Sequence, residues 1–321
     1  MSANQWFLGV DGGQSSTSAI IGDETGRVRG VGRAGPCNHV STAESQARFR
    51  EAIGGAVRAA VAASGLTEAG LTETGFAAAC LGLSGGPADK DALVREIVHA
   101  EKYVITNDAV VALTGATAGQ PGVIAISGTG SIAFGRNAQG RTARAGGWGY
   151  VFGDDGGAFD LVRQAVRAAL RQEEGWGPAT ALRESLLTAT GARDMNQLLH
   201  WFYTPDYPKA RIASYAKLVD AAARQQDAIA REILQGSAQA LATLVAAVRR
   251  QLFQRGESAR ISYIGGGFAS ELLRERFAML VELESDTHVH PPAFGPAAGA
   301  LIEAYRSAGL HIHPIDPPRG V

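Results

Sequence analysis

Asp108 is the residue of this sequence best placed to accept a proton from a substrate. It stands where the apolar run "YVITN" meets a helical pattern that opens at Asn107 or Asp108. An Asp in that place is most often a helix N-cap, but Asn107 can supply the cap and leave the Asp108 carboxylate available. Phosphoryl transfer requires positioning, charge neutralisation and one carboxylate that receives the acceptor's proton. The residue types therefore favour Asp108 as a general base.

Two glycine-rich stretches could hold the phosphates that such a reaction moves. "DGGQSS" (Asp11 to Ser16) and "SGTGS" (Ser127 to Ser131) each lie between alternating apolar runs, so we expect both at the tips of β-hairpins. Glycines there let backbone N–H groups converge on an anion, and hydroxyl groups add donors. Asp11 would repel phosphates unless a cation intervened, so we predict that it binds Mg²⁺ through water, the alternative being a turn-forming Asp-Gly.

Other nucleotide-binding patterns fit less well. The spacing Gly128-x-Gly130-x-x-Ala133 matches a loose dinucleotide fingerprint, but a strand and not a helix follows it. The sequence holds no GxxxxGK[ST] motif. A run from Gly265 to Gly267 between a strand and a helix would let an adenosine lie against bare backbone.

Two loops have residues suited to a polyhydroxylated ligand. "GGWGYVFGDDGG" places two carboxylates beside glycine backbone, and we expect either Asp154 or Asp155 to cap the helix that follows. "GPCNHV" sets Asn38, which can both donate and accept hydrogen bonds, on a loop after the first strands.

One pattern of strands occurs twice along the chain. "WFLGVDGGQSSTSAIIGDETGRVRGVG" and "VIAISGTGSIAFGRNAQGRTARAGG" each give three strands, with a glycine-rich first turn and a second turn ending in Gly-Arg. Crossover helices after such meanders predict an α/β fold with mixed sheets flanked by helices. From about residue 157 to 253 the pattern is mostly helical, including one helix from Pro208 to Arg224.

Composition narrows the function classes. The chain has 321 residues, enough for two domains, and its 30 basic and 31 acidic residues leave no surplus charge for nucleic acid or an anionic membrane. Cys37 and Cys80 form no CxxC pair, so one chain offers neither a zinc site nor an iron–sulfur site. The sequence shows no signal-peptide pattern and no apolar stretch that spans a bilayer, so we expect a cytoplasmic protein.

The motifs "DGGQSS", "CNH", "ITNDA", "ISGTGS", "GGWGYVFGDDGG" and "IGGG" together resemble the BadF/BadG/BcrA/BcrD ATPase family over nearly the whole chain. Within that family they resemble the N-acetylglucosamine kinases of the actin-like ATPase and hexokinase superfamily. The resemblance implies two actin-like, ribonuclease H-like domains, one of residues 1–117 and 298–321 and one of residues 118–297 with a helical insert. It also implies ATP, Mg²⁺ and a sugar in the interdomain cleft, and phosphate transfer to the C6 hydroxyl of N-acetylglucosamine.

Carried over position by position, the resemblance makes Asp108 the general base. The nucleotide-binding residues it implies are Asp11, Gly13, Ser15, Thr129, Gly130, Gly266 and Gly267. The sugar-binding residues it implies are Asn38, Gly147, Trp148, Gly149 and Asp154. The family's Asn after "GTGS" is Ile132 here, and "GDEGS" is "GDDGG". Glucosamine and N-acetylmuramic acid therefore remain alternative acceptors.

An ATPase that activates a partner reductase or dehydratase is the alternative from the same family. Those activators carry a cluster held by cysteines between subunits, and Cys37 and Cys80 lack their local pattern. A sugar-sensing repressor would need an N-terminal helix-turn-helix, which is absent from this sequence. We therefore expect an amino-sugar kinase that acts on a small molecule, and a homodimer, since helical surfaces are rich in Ala and Arg.

Overall fold

The computed structural model describes residues 5–37, 40, 42–66 and 75–318, and the chain divides into two compact units. Unit 1 comprises Met1–Gln120 and Pro291–Val321, and unit 2 comprises Pro121–His290. The chain passes from unit 1 to unit 2 after residue 120 and returns to unit 1 after residue 290. The expected domain limits, after residues 117 and 297, lie three residues before the first of these boundaries and seven after the second.

Each half of the chain begins with three consecutive strands, after which helices connect the later strands. The strands are β1 (Trp6–Gly12), β2 (Thr17–Asp23), β3 (Val28–Ala34), β4 (Phe76–Leu83), β5 (Ala100–Asn107), β6 (Gly122–Ser127), β7 (Ser131–Arg136), β8 (Thr142–Gly146), β9 (Ala259–Ile264) and β10 (Thr287–Val289). The α-helices are α1 (Ala43–Ser64), α2 (Asp91–Ile97), α3 (Asp108–Ala116), α4 (Ala158–Glu173), α5 (Leu182–Thr190), α6 (Met195–Phe202), α7 (Lys209–Ala213), α8 (Ala216–Arg224), α9 (Ala228–Leu252), α10 (Glu271–Val281) and α11 (Pro296–Ser307).

The two sheets share one topology. Unit 1 has the order β3-β2-β1-β4-β5 and unit 2 the order β10-β9-β6-β7-β8. In each, three antiparallel strands form a meander. A later strand pairs in parallel with the first strand of the meander, and a second later strand pairs in parallel with that one. The predicted repeat and the mixed sheets are confirmed. The carboxyl ends of β1, β4 and β5 therefore meet at one sheet edge, as do those of β6 and β9.

Helices cover both faces of the unit 1 sheet because glycines on its strands let them approach closely. A Cβ at Gly32 would overlap the carbonyl oxygen of Ala56 in α1, and one at Gly9 would overlap the backbone of Leu301 in α11. One core lies between the sheet and α1, and a second lies between the sheet and α11. The packing fixes the sheet edge from which Asp11 and Asp108 come.

Unit 2 carries its predicted helical insert between β8 and α9, as helices α4 to α8. The expectation of one helix from Pro208 to Arg224 is wrong, since α7 ends at Ala213 and α8 begins at Ala216. The Ser214 hydroxyl donates to the Arg211 carbonyl oxygen at 2.6 Å, and the Tyr215 N–H bonds to the Ile212 carbonyl oxygen. Such local bonds compete with the helical ladder and end it. Among the helices of the described ranges, none has the length and hydropathy to cross a membrane.

Candidate active site

Asp11 and Asp108 come from the ends of two strands, β1 and β5, that lie on either side of β4 in the unit 1 sheet. Asp11 lies beside Gly82 of β4, which lies beside Thr106 of β5, and Asp108 follows two residues later as the first residue of α3. Gly82, which lies between them in the register, lets α3 pack closely on β4, since a Cβ there would overlap the Val111 side chain. The two carboxylates therefore share one corner of the sheet edge.

Asp108 is held as a hydrogen-bond acceptor and not as a cap. The Asn107 side-chain oxygen caps α3 by accepting from the Val110 N–H at 3.1 Å, as the sequence indicates it can. Burial raises the pKa of Asp108, while the N–H groups of Ala109 and Asp108, the Ser84 hydroxyl and the Lys90 charge counteract that rise. A half-buried carboxylate with several donors and a raised pKa is suited to accept a proton.

Asp11 lies in a more strongly perturbed environment. Burial, and then the negative charge of Asp108, raise its pKa to about 7. The residue lies within β1 and is not part of the turn, so the alternative of a turn-forming Asp-Gly does not describe it. Two carboxylates of which one titrates near neutrality form a corner that a cation would stabilise in the ionised state.

The first hairpin, from Gly13 to Ser16, forms where the sequence predicts it. The Gly13 N–H donates to the Ser16 carbonyl oxygen at 3.0 Å, and Ser15 lies exposed at the tip. The Gly13 carbonyl oxygen accepts from the Cys37 N–H at 2.9 Å, which ties the hairpin to the chain after β3. The adjacent Asn38 lies outside the described residues.

The second hairpin, from Ser127 to Ser131 in unit 2, also forms as predicted, and it caps α4. The Gly128 N–H donates to the Gly130 carbonyl oxygen at 3.0 Å. The first N–H groups of the helix, on Ala158 and Phe159, donate to the carbonyl oxygens of Gly128 and Thr129 at 2.8 and 3.1 Å. Thr129 and Gly130 are thereby fixed at the start of α4.

The expectation that Asp154 or Asp155 caps α4 is wrong. The N-cap is Gly157, which has no side chain to accept a bond, so the hairpin carbonyl oxygens take that role. Asp155 is exposed and contributes its carbonyl oxygen, which accepts from the Ser131 hydroxyl at 2.6 Å. The Asp154 side chain is therefore free of helix capping.

Asp154 is buried against the second hairpin in a left-handed backbone conformation, with φ of 63°. One carboxylate oxygen accepts from the Ser131 N–H at 3.3 Å, and the other lies 3.1 Å from the Lys209 Nζ of α7. A Cβ at Gly130 would overlap this carboxylate. Lys209 is a site residue that the sequence patterns do not indicate, since it stands 55 positions away.

The glycine loop before Asp154 reaches the same strand. The Gly147 N–H donates to the Ser131 carbonyl oxygen at 3.0 Å, and Gly147 and Gly149 have φ of 73° and 82°, which favour glycine. Trp148 is 66% exposed, with the Arg144 guanidinium 4.5 Å from the centre of its ring system. The structure thus brings Gly147 and Asp154 to Ser131, with Trp148 and Gly149 following Gly147 on the same loop.

Ser127 joins the remaining glycine cluster to the second hairpin. Its buried hydroxyl donates to the Gly156 carbonyl oxygen at 2.7 Å. A Cβ at Gly267 would overlap that hydroxyl, and a Cβ at Gly265 would overlap the Ser127 carbonyl oxygen. Gly266 begins a 3₁₀ turn and is exposed, with open space where a Cβ would be. Unit 2 therefore brings Thr129, Gly130, Gly266 and Gly267 to one sheet edge.

Comparisons with known proteins agree with this architecture. The model of the BadF/BadG/BcrA/BcrD ATPase family matches residues 8–304. The chain is 31% identical over 268 residues to an N-acetylmuramic acid/N-acetylglucosamine kinase of Clostridium acetobutylicum, covering 82% of this chain and 85% of that protein. It is 30% identical over 318 residues to an N-acetyl-D-glucosamine kinase of Dictyostelium discoideum, covering 94% and 98%.

Two solved structures share the fold of this chain. A Chromobacterium violaceum structure described as a candidate N-acetylglucosamine kinase superposes with a TM-score of 0.77 at 25% identity, covering 93% of this chain and 98% of that one. A glucokinase of the ROK family from Streptomyces griseus, solved with glucose and AMPPNP, shares the fold with a TM-score of 0.56 at 18% identity, covering 94% and 98%. The α/β fold is thus that of the actin-like ATPase and hexokinase superfamily. With the family model matched over nearly its whole length, the chain belongs to the BadF/BadG/BcrA/BcrD ATPase family.

Proposed function

We propose that the protein is an ATP-dependent amino-sugar kinase that phosphorylates the C6 hydroxyl of N-acetylglucosamine or of a close relative, glucosamine or N-acetylmuramic acid. The observation that carries the proposal is the Asp108 carboxylate, half-buried at a strand end with Ser84 as hydrogen-bond donor, in a chain of this family. The two relatives at 30–31% identity, which are named as kinases of these sugars, support the choice of acceptor.

Asp108 acts as the general base. It accepts the proton of the attacking hydroxyl, and its raised pKa makes it a stronger base than an exposed Asp. The Ser84 hydroxyl and the N–H groups at the start of α3 orient the carboxylate, so it need not reorganise when the proton arrives.

The two hairpins bind the phosphates of ATP. Ser15 and Thr129 supply hydroxyl donors, and Gly13 and Gly130 let the backbone approach an anion. Gly266 and Gly267 receive the adenosine. Gly266 has open space where a Cβ would be, and Gly267 packs against Ser127.

Asp11 holds Mg²⁺ through water. Among the described residues no three His, Cys, Asp or Glu side chains form a ready metal cluster. A corner with the Asp11 carboxylate and no cage of protein ligands fits Mg²⁺, because Mg²⁺ keeps most of its waters and takes one or two carboxylates plus substrate phosphates. When bound, the ion neutralises charge on the transferring phosphoryl group.

The sugar is bound by Gly147, Trp148, Gly149 and Asp154, and by Asn38. Asp154 is a buried acceptor whose two oxygens are fixed by the Ser131 N–H and Lys209, so its remaining lone pairs can accept from sugar hydroxyls in defined directions.

The alternative function, an activator of a reductase or dehydratase, is disfavoured by the cysteines. Cys37 and Cys80 are both fully buried, and burial raises the pKa of Cys37 to about 12. A cluster shared between two subunits needs thiolates at a surface.

The test is Asp108→Asn, assayed by ADP release coupled to each candidate sugar. We expect kcat to fall about 10²- to 10⁴-fold with the KM of the sugar changed by less than about threefold, since the amide keeps the shape and loses the basicity. The matched control is Asp91→Asn, because Asp91 is also the first residue of a helix in unit 1 but is exposed and paired with Arg95. Near-normal turnover in Asp108→Asn would remove the proposed base. Sugar-independent ADP release in the wild type would favour the activator. A homodimer and a cytoplasmic location stay predictions.

A further inference from the structure

Lys90 is a fully buried lysine that neither the motifs nor the proposed chemistry has assigned. It has 0% exposure, and its Nζ donates to the Gly86 carbonyl oxygen at 2.8 Å and to an Asp89 carboxylate oxygen at 3.0 Å. Burial of an ammonium group costs free energy that a single partly exposed carboxylate does not recover. Buried charges that persist at such a cost are frequently functional.

The segment from Ser84 to Lys90 connects Lys90 to the candidate base. This segment, which we call the β4–α2 loop, turns at Gly85 and Gly86, whose φ values of 77° and 83° need glycine. The Lys90 side chain folds back over the loop to reach Gly86, and the Lys90 N–H bonds to the Pro87 carbonyl oxygen at 2.9 Å. The ammonium thus fixes the turn that follows Ser84.

Ser84 carries the effect of this loop to the carboxylate. Its N–H donates to the Gly12 carbonyl oxygen at 2.9 Å, beside Asp11, and its hydroxyl donates to Asp108. Ser84 itself is buried, so its hydroxyl has little freedom to seek water instead. A displacement of the turn would therefore rotate or withdraw the Ser84 hydroxyl, which is the side-chain donor to Asp108 among the described residues.

Charge supports the same role. The titratable groups that act on one another here are Asp11 of β1, Asp108 of α3, Cys37 after β3, and Lys90 with its partner Asp89. Lys90 supplies the positive charge that this set shares: its field favours the ionised form of both Asp108 and Cys37. It opposes the accumulation of negative charge that the two carboxylates create.

We propose that Lys90 is a positioning residue for phosphoryl transfer, which fixes the β4–α2 loop so that Ser84 holds the Asp108 carboxylate in its reactive orientation. The inference rests on the proposed function, in which Asp108 is the base. It adds to that function a residue that touches neither substrate and acts through Ser84.

The experiment compares Lys90→Met, Ser84→Ala and the double variant in the full chain, with the sugar that gives the highest wild-type turnover. We expect Lys90→Met to lower kcat about 10- to 100-fold, as small misplacements of a catalytic group do, with the KM values of sugar and ATP within about threefold of wild type. Lys90 acts on the Asp108 carboxylate through Ser84, so removing both residues should cost little more than removing one. We expect kcat of the double variant to lie within about twofold of kcat of the slower single variant. The matched control, Lys102→Met, makes the same change at an exposed position of β5 and should leave both constants unchanged.

Three results would overturn the proposal. They are wild-type kcat in Lys90→Met, a fall confined to KM, and a double variant whose loss equals the product of the two single losses. If Lys90→Met does not fold by circular dichroism, Ser84→Ala decides, and wild-type kcat in that variant overturns the proposal. An active wild type with an inactive Asp108→Asn variant keeps the proposed function even when Lys90→Met is normal, so the two failures are distinguishable.

Discussion

Asp11 shows at the scale of one residue how an active site can lower the stability of its fold. Its carboxyl group is partly buried beside Asp108, and the shared negative charge adds to the cost of removing it from water. The folded protein therefore holds a proton on Asp11 up to higher pH than the unfolded chain does. The sign of the pH dependence follows from that difference.

We predict that Asp11→Asn stabilises the protein at pH 8 and much less at pH 4.5. Folding raises the pKa of Asp11 from 3.8 to about 7. Asp11 therefore destabilises the folded protein progressively as the pH rises from about 4 to about 7, and by on the order of 4 kcal/mol above pH 7. An amide is uncharged throughout and escapes this penalty. Thermal unfolding of both proteins at the two pH values measures the difference.

Asp206→Asn is the control for this measurement, because Asp206 is exposed in unit 2. An Asp11→Asn variant that is equally stabilised at both pH values, or destabilised at pH 8, would show that Asp11 is ionised in the folded protein without a penalty.

At the scale of secondary-structure elements, the contacts that the sequence predicts are local ones. The Asn107 cap and both hairpins depend on residues within a few positions of one another, and patterns of turn and apolar residues indicate them. The bond from Ser127 to Gly156 spans 29 positions and the pair of Lys209 with Asp154 spans 55, and no local pattern indicates either. Lys90 escapes prediction because a lysine in a polar loop is ordinarily exposed.

A pair of glycines in the second hairpin gives a prediction at this scale. Gly130→Ala should destabilise the protein by about 1–3 kcal/mol, because the new Cβ must displace the buried Asp154 carboxylate from the Ser131 N–H. It should also raise the KM of the sugar, because Asp154 is a proposed sugar ligand. Urea unfolding and steady-state kinetics measure the two effects.

Gly128→Ala is the matched comparison for stability, two residues earlier in the same hairpin, where a Cβ would meet nothing within 4 Å. We expect its free energy of unfolding, measured in urea, to stay within about 0.5 kcal/mol of wild type. Equal losses in the two variants would mean that the hairpin tolerates no Cβ anywhere, and that contact with Asp154 is not the cause.

At the scale of the whole molecule, the duplicated sheets differ in how the chain completes them. Unit 2 is one continuous segment, whereas unit 1 receives its last helix, α11, after unit 2 has ended. Leu301 and Tyr305 of α11 are fully buried, and the Tyr305 ring lies 4.8 Å from that of Phe7 in β1. The Tyr305 hydroxyl also donates to the Asp23 carbonyl oxygen at 3.0 Å.

We predict that residues 121–290 fold as an isolated polypeptide and that residues 1–120 do not. The isolated unit 2 keeps its whole core, while residues 1–120 alone would expose the sheet face that α11 covers. Circular dichroism melts and amide chemical-shift dispersion test both. A cooperative melt of residues 1–120 would show that α11 is dispensable to unit 1.

The late position of α11 also has a consequence for biosynthesis. A ribosome completes β1 to β5 first, but must make every residue of unit 2 before it makes the helix that closes the opposite face of that first sheet. We expect the nascent amino-terminal half to stay sensitive to protease, and to be a chaperone substrate, until translation has passed Ser307 and that residue has emerged from the exit tunnel. Stalled nascent chains of increasing length can be digested with protease on the ribosome. We expect β1 to β5 to become protease-resistant in one step, and only in chains long enough for α11 to have left the exit tunnel.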